Sequence, residues 1–442
     1  SHNHNLSVSG GSDRLVYNAS ISYGDNRGIE LGNDSDKMSA RVRINAKLRH
    51  NIRLDASIIG AIDQTYGYGP GISPIGYATS TSRAIPAYDE NGELLFYRNF
   101  GGYTYGALGM DLGYNILNEM ENSYAKSKST RINATLDFAW DIVPWLTYQF
   151  TGGYSINNSR NETYAGEKTF YVANNYRGYD YGEAMEGDPE FAAALLPFGG
   201  EFQTFDKSES NYNFQNKLLL HKTFNDAHRI NAMVGMELRS TRYDGLTNTV
   251  WGYTPDRGKK LAETVDPNKF VSMNSSSLIT HGIFRKLYKG GWRNQGGLNN
   301  FLSVFATASY SYRNRYVFNA SIRNDMSNRF GQDVNKRFDP LYSFAVSWDV
   351  AQEKWMKNAK WLDQLRVRAS YGIQGNTIQS ISPDLILAHQ GVISLYSQYG
   401  NSISSLPNPE LTWESTRTWN VGMDLQLLKW ITLTAEYYSR AS

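Results

Sequence analysis

The chain has 442 residues, no cysteine and a formal net charge of +2. Without cysteine it has no disulfide and no thiolate metal site, and its small charge gives no reason to expect nucleic acid as a partner. No apolar run reaches the roughly 18 residues that a membrane helix needs. Tyrosine (31) and glycine (39) are frequent, which together with strand periodicity is typical of a β-barrel with aromatic belts.

Apolar and polar residues alternate along about fourteen segments, which predicts as many strands. In the clearest segment, Val42 and its even-numbered neighbours share one face, while Arg43 and its odd-numbered neighbours share the other. The same alternation recurs around Leu136 and Val367. In chain order, the predicted strands lie at 5–9, 14–23, 38–49, 51–61, 127–140, 145–155, 208–221, 228–243, 301–312, 316–325, 340–350, 364–374, 412–427 and 430–440.

The connections between these strands alternate between short and long. The short ones lie near 10–13, 49–51, 141–144, 222–227, 313–315 and 428–429. The long ones lie near 24–37, 62–126, 156–207, 244–300, 326–339 and 375–411. Strands that thread a bilayer produce this asymmetry, because turns on one side only reconnect neighbours while the loops on the other side carry function. Segment 351–363 interrupts the short series, as either a short helix or a longer turn.

The direction of each strand face follows from the cost of placing a charge in lipid. A Lys or Arg at mid-depth on the lipid side costs roughly 2–4 kcal/mol. We therefore expect Arg43, Arg131 and Arg368 to face a wet interior and the apolar residues to face lipid. Trp140 and Trp145 flank one short turn and Trp430 follows another, which predicts an aromatic belt on the short-turn side.

The long connections are rich in Tyr, Gly and Asn, as in the runs 66–69 and 101–106. Aromatic faces beside amides suit sugar rings and extended peptides, through stacking and hydrogen bonds. The pattern identifies no individual ligand-binding residue.

Other chemistry receives little support from the sequence. His2 and His4 would share a face of a strand, but no nearby side chain completes a metal site. Asp25, Asp34 and Asp36 form an acidic loop that lacks the spacing of a calcium-binding EF-hand. Glycine runs near 290–297 follow no strand-to-helix pattern. We therefore expect no cofactor, no metal, no catalytic residue and no enzymatic activity.

Four strings, in order along the chain, resemble the SusC/RagA family of TonB-dependent outer-membrane receptors. They are 4–11 (HNLSVSGG), 320–331 with its ASIRND and SNRFG, 365–376 with its LRVRASYG and GN, and 408–416 (NPELTWEST). Met326 and Trp430 depart from the family's usual residues.

The resemblance implies a 22-stranded barrel with an N-terminal plug that imports oligosaccharides or oligopeptides. It also implies a SusD-like surface lipoprotein and the TonB complex as partners, and a place in the cell outer membrane in contact with its lipid. We expect residues 1–442 to form one all-β, transmembrane antiparallel barrel domain that is partial, without the plug and without the last strands.

Three other interpretations stay open. A passive porin of fourteen strands is possible, because fourteen is an allowed even number of strands. Another TonB-dependent receptor, for a siderophore or a vitamin, would share the barrel. A soluble carbohydrate-binding module would instead need the apolar faces to be buried in a dry core.

Overall fold

A computed structural model of the protein describes residues 1–98, 112–194, 196–262, 291–331, 339–356, 358–376, 382–393, 395–412 and 414–442. Fourteen long strands form one antiparallel sheet, and each strand of the sheet pairs with the next long strand along the chain. These strands are β1 (His2–Gly11), β2 (Leu15–Arg27), β3 (Asp34–Arg49), β4 (Ile52–Gly67), β7 (Ser123–Val143), β8 (Leu146–Ala165), β9 (Gly200–Phe224), β10 (His228–Thr254), β12 (Arg293–Tyr312), β13 (Tyr316–Ser327), β14 (Leu341–Asp349), β15 (Leu362–Asn376), β18 (Glu414–Leu427) and β19 (Ile431–Ala441).

The remaining elements lie in the long connections, apart from a 3₁₀ turn between β14 and β15. They are α1 (Pro74–Ser80), β5 (Tyr97–Arg98), β6 (Gly113–Tyr114), α2 (Ile116–Glu121), α3 (Phe170–Val172), a π-helical turn (Ala173–Arg177), α4 (Pro189–Ala193), β11 (Lys260–Leu261), and the β16 (Ile386–Ile393) and β17 (Gln398–Ser405) hairpin. Among the described residues, no helix is long and apolar enough to cross a membrane.

The predicted strands are confirmed in number and position, but the central ones are longer than predicted. Strand β10 has 27 residues and β9 has 25, whereas the alternation predicted about 15 for each. The prediction of an acidic loop was wrong, because Asp25 lies in β2 and Asp34 and Asp36 lie in β3. Arg27 bridges Asp25 and Asp34 at 3.1 and 2.9 Å, so these carboxylates serve strand pairing.

The register carries each strand face unbroken across the sheet, because directly paired residues point to the same side. Val42 pairs with Ala19 and Ile58, and Ile58 pairs with Ala134. No dry core covers this apolar face in the described chain: Val42 is 49% exposed, Leu136 39% and Val367 37%. Arg43 and Arg368 lie on the opposite face, so the predicted division of faces is confirmed and the soluble module is not supported.

Strand length and face chemistry together locate the apolar band. A strand of 27 residues rises about 60 Å at a tilt of about 45°, more than twice the ~25 Å apolar band of a membrane barrel. Charges appear on the apolar face at Arg160 and Arg242, each 14 residues beyond the strand's start at Leu146 or His228. The central strands therefore extend well past the band on the side of the long connections.

The short turns have the geometry of tight hairpins. Asn225–Asp226, Arg313–Asn314 and Leu428–Lys429 each place two consecutive residues at positive φ. Two left-handed residues match the twist of the flanking strands, as in type I′ turns. Segment 351–363 overlaps the 3₁₀ turn Val350–Gln352, and its described residues form further turns before β15, so it is a longer turn.

Aromatic residues collect on the apolar face near these short turns, as predicted. Trp140 pairs with Tyr148 across β7 and β8, and the rings of Tyr316 and Trp348 stack at 6.3 Å. Trp430 follows its turn and is 81% exposed. Rings with a polar edge are favoured at the boundary between hydrocarbon and water, so these side chains mark one edge of the band.

The dry core of the described chain lies in the long connections. Val172, Tyr176 and Leu196 are at most 3% exposed and pack with Ala165 at the end of β8. Ala165 pairs with Glu201, which pairs with Trp251, and the register assigns all three to the polar face of the sheet. The 166–199 connection therefore folds back over the polar face.

Candidate ligand-binding site in the long connections

The polar face of the sheet carries many ion pairs between neighbouring strands. Arg43 donates to Asp55 at 2.7 Å, and Arg368 donates to Asp424 at 3.0 Å. These side chains are partly exposed, so each pair adds little to stability. Their consequence is a wall of balanced charge with many hydrogen-bonding groups, which suits a water-filled passage for hydrophilic solutes.

One cluster on this face is tighter than the others. Arg323 donates from Nη2 to Glu237 at 2.9 Å and to Ser303 at 2.8 Å, and from Nε to Asp325 at 2.8 Å. Its guanidinium also lies 5.4 Å from the centre of the Phe305 ring. The Glu237 and Asp325 side chains are only 8% and 10% exposed, so Arg323 compensates two buried carboxylates and joins β10, β12 and β13.

Glu201 ties the folded-back connection to the sheet. Its carboxylate accepts hydrogen bonds from Tyr176 and, at 3.3 Å, from Trp251 Nε1. Tyr176 is 2% exposed, and burial together with the nearby Glu201 carboxylate raises the pKa of its hydroxyl far above the ordinary value. The hydroxyl therefore stays protonated and donates to Glu201 over the accessible pH range.

A second connection, 68–122, packs against the first through the short helix α2. Asn115 caps this helix by accepting from Leu117 N at 2.9 Å, and its amide donates to two backbone carbonyls of the same connection. Glu119 accepts from Phe170 N at 2.7 Å and Asn118 donates to Lys168 O at 2.9 Å. These bonds fix the two connections relative to each other.

Glu119 is the most deeply buried acid of this contact, at 2% exposure. Burial raises the pKa of its carboxyl above the ordinary value of a glutamic acid, and the donors from Phe170, Asn118 and Tyr171 oppose this only in part. Its hydrogen bonds position the start of α3.

A third connection joins the same assembly through Glu167. Its Oε2 accepts from Gly199 N at 2.8 Å, and its Oε1 lies 3.5 Å from the Arg257 guanidinium beyond β10. Arg177, 2% exposed, donates to the backbone carbonyls of Glu167 and Tyr179. Three long connections thus form one packed unit, which we call the loop core (residues 68–98, 112–122, 166–199 and 255–262, where described).

The loop core encloses a cavity of about 310 Å³ between its first two connections. Its lining combines four aromatic rings, amides, hydroxyls and one buried acid, in the order Pro70, Gly71, Ile72, Ser73, Tyr77, Ser80, Leu112, Tyr114, Glu119, Phe170, Tyr171, Asn174 and Asn175. The Tyr114 ring is 5.9 Å from Tyr77 and 5.5 Å from Phe170, measured between ring centres. A concave site with aromatic walls and a few polar groups is the usual form of a small-molecule site.

None of the residues that the sequence analysis singled out is among the described residues that line this cavity. Tyr68 donates to Leu31 O at 2.6 Å, and the following glycine is buried against Ser123. The run 101–106 lies outside the described residues. His2 and His4 lie on one face of exposed β1, and the described chain holds no cluster of three or more His, Asp or Glu side chains that fits a metal.

Sequence reasoning missed the cavity's own residues. Tyr77, Tyr114 and Phe170 come from separate segments of the chain, and no local pattern shows that they meet. The one available signal was the string Asn115-Ile-Leu-Asn-Glu119, in which an N-cap residue precedes an acid in the first turn of a helix.

The sheet, its two faces and the folded-back connections define a transmembrane β-barrel whose polar face is partly covered by its own loops. Comparison with known families agrees: residues 76–440 match the family described as TonB dependent receptor-like, beta-barrel. The chain therefore belongs to this family.

Two curated relatives are similar over nearly the whole chain. The TonB-dependent receptor P26 of Formosa agariphila is 23% identical over 96% of this chain and 38% of its own length. The TonB-dependent receptor SusC of Bacteroides thetaiotaomicron is 24% identical over 96% of this chain and 39% of its own length. This chain thus spans about two fifths of the length of these relatives.

Solved structures share the fold. The RagAB peptide transporter superposes with a TM-score of 0.71 at 22% identity, covering 99% of this chain and 44% of that one. The RagAB peptide importer in its open-open state gives a TM-score of 0.73 at 20% identity, over 99% and 43% of the two chains. At such identities the likeness establishes the fold of the barrel wall and its connections.

Proposed function

We propose that residues 1–442 form part of the barrel domain of a TonB-dependent importer in the outer membrane. The cargo is a nutrient oligosaccharide or, as the second candidate, an oligopeptide. The domain works with a SusD-like surface lipoprotein and with the TonB complex. Its task is binding and gated passage, without covalent chemistry.

The observation that carries this proposal is the loop core folded over the polar face of the sheet. An apolar outer face fits lipid and a charged inner face fits water, which together suit a transmembrane wall around a wet passage. The Tyr176–Glu201 bond and the packing of Val172 against Ala165 hold the loops over that passage. Solutes entering from the side of the long connections would meet the loop core first.

Similarity supports the cargo class and the lipoprotein. The resemblance of the sequence to the SusC/RagA family implies the lipoprotein, and RagAB is named a peptide transporter. The family match, and two relatives similar over 96% of this chain, favour the receptor over a passive porin. The ferric-catecholate receptor Fiu superposes less well, with a TM-score of 0.50 at 13% identity, which favours a SusC/RagA-type receptor over a siderophore receptor.

Growth of the native strain tests the proposal. Deletion of the full-length gene should abolish growth on one polysaccharide or protein hydrolysate, and a plasmid copy should restore it. Deletion of the genes of the TonB complex should give the same loss, since a passive channel would need no energy source. Unchanged growth of the gene deletion on every polymer supplied contradicts the importer.

A further inference from the structure

We propose that the cavity of the loop core binds a single uncharged sugar ring of an oligosaccharide. The inference rests on the proposed function, which leaves the cargo as a glycan or a peptide and names no contact residue. It assigns the contact to the pocket bounded by Tyr77, Tyr114, Phe170 and Tyr171, with the amides of Asn174 and Asn175 at one side.

The shape of the pocket favours a ring over an extended chain. At about 310 Å³ it lies at the small end of ligand sites, which leaves room for one compact unit. Its walls come largely from α1, α2, α3 and the π-helical turn. One common way to hold a peptide is along the free edge of a strand, through main-chain hydrogen bonds, and none of the described lining residues belongs to a long strand.

The chemistry of the walls matches the two sides of a pyranose. Tyrosine and phenylalanine rings offer flat apolar faces to the C–H face of a sugar, while amides and hydroxyls bond its hydroxyl rim. Asn175 donates from Nδ2 to Tyr171 O at 2.8 Å, which holds its carboxamide in a fixed position. The hydroxyls of Ser73, which caps α1, and of Ser80, at the end of α1, also line the pocket.

The charge of the lining disfavours anions. No Lys or Arg lines the described pocket, and its acid is Glu119, whose Oε1 already accepts from Phe170 N and Asn118 Nδ2. An anionic sugar would therefore find no positive partner and would meet the negative faces of four aromatic rings. An uncharged ring does not meet this penalty, and the chitosan hexamer tests whether the ring faces bind a positive charge instead.

Tyr77 is the position at which to test the pocket. It lies on α1, a helix that has no buried residue, and its ring contacts Tyr114 rather than the cluster of Val172 and Tyr176. Tyr88 belongs to the same connection, is 52% exposed and does not line the cavity, so Tyr88→Ala is the matched control. Tyr77→Phe keeps the ring and removes only the hydroxyl.

The experiment measures binding to the full-length receptor, purified in detergent with its partner, by isothermal titration calorimetry. The uncharged probes are maltohexaose, xylohexaose, mannohexaose and chitohexaose. The charged probes are hexagalacturonate and the chitosan hexamer, and a mixed-sequence decapeptide represents peptides. Limited proteolysis of each variant verifies that the loop core is folded.

We expect an uncharged hexasaccharide to bind, and Tyr77→Ala to weaken it about tenfold, the effect of losing one stacked ring. Tyr77→Phe should change the affinity by no more than about twofold, and Tyr88→Ala should leave it unchanged. The inference is overturned if only a charged probe or the peptide binds, if no uncharged probe binds, or if Tyr77→Ala behaves like its control. The growth assay separates the two proposals. If growth on a glycan depends on the gene but binding of that glycan is unchanged by Tyr77→Ala, the pocket is refuted and the importer is not. If binding depends on Tyr77 but no growth depends on the gene, the importer is refuted and the pocket is not.

Discussion

A charge introduced at Val234 tests the orientation of the sheet most directly. Val234 lies on the apolar face of β10, paired with Leu218 and Ala306 and 54% exposed. It is six residues beyond His228 at the short-turn end. At ~3.3 Å per residue and a tilt of about 45°, this places it roughly 14 Å into a band of ~25 Å, close to the middle.

Val234→Arg should therefore cost the full mid-depth penalty of about 2–4 kcal/mol. The neighbouring Met233 points to the polar face, where it pairs with Leu219 and Thr307. Met233→Arg places the same charge beside water, and we expect a cost below about 1 kcal/mol. The two substituted positions are adjacent in sequence, and their side chains lie on opposite faces of the sheet.

The assay is equilibrium unfolding of the full-length receptor in phospholipid vesicles, with urea as denaturant and tryptophan fluorescence as readout. The free energy of unfolding of each variant is compared with that of the unsubstituted protein. Equal costs for the two arginines, or a larger cost for Met233→Arg, would refute the reasoning. Such a result would mean that the apolar face does not meet lipid.

Three further predictions concern the turns, the loop core and the polar face. Replacing Leu428–Lys429 by Asn-Gly should stabilise the protein by about 1–2 kcal/mol in the same unfolding assay, because both residues have positive φ, at 52° and 68°; an unchanged value contradicts a strained turn. Protease resistance of the loop core should fall as pH rises, because burial raises the pKa of Glu119. The stabilising contribution of the protonated carboxyl is complete below the ordinary glutamate pKa and is lost as the buried carboxyl ionises. Glu119→Gln should flatten this pH profile, and an unchanged profile in the variant would show that Glu119 is not its cause. Arg323→Ala should destabilise the sheet by about 1–3 kcal/mol, because it leaves two buried carboxylates without their ion-pair partner. The control Arg242→Ala should cost well under about 1 kcal/mol, because the side chains of Arg242 and its partner Asp244 are 67% and 63% exposed. Equal losses in the two variants would contradict the assigned burial.

The sequence by itself determined the strands, their two faces and the side on which the long connections lie. Side chains alternate with a period of two, so Val42 and Arg43 could be assigned to opposite faces without coordinates. The points at which this alternation stops also predicted the positions of the short turns. It underestimated β9 and β10, because beyond the bilayer both faces are wet and the apolar signal fades at positions such as Arg242.

Only the tertiary structure decided where the loops go. The bond from Tyr176 to Glu201 and the contacts of Glu119 with Phe170 join segments that are 25 and 51 residues apart. No local periodicity records such pairs, since they depend on how irregular connections pack once the sheet has fixed their ends. The sequence therefore predicted the wall of the passage, and the fold alone revealed the pocket at its entrance.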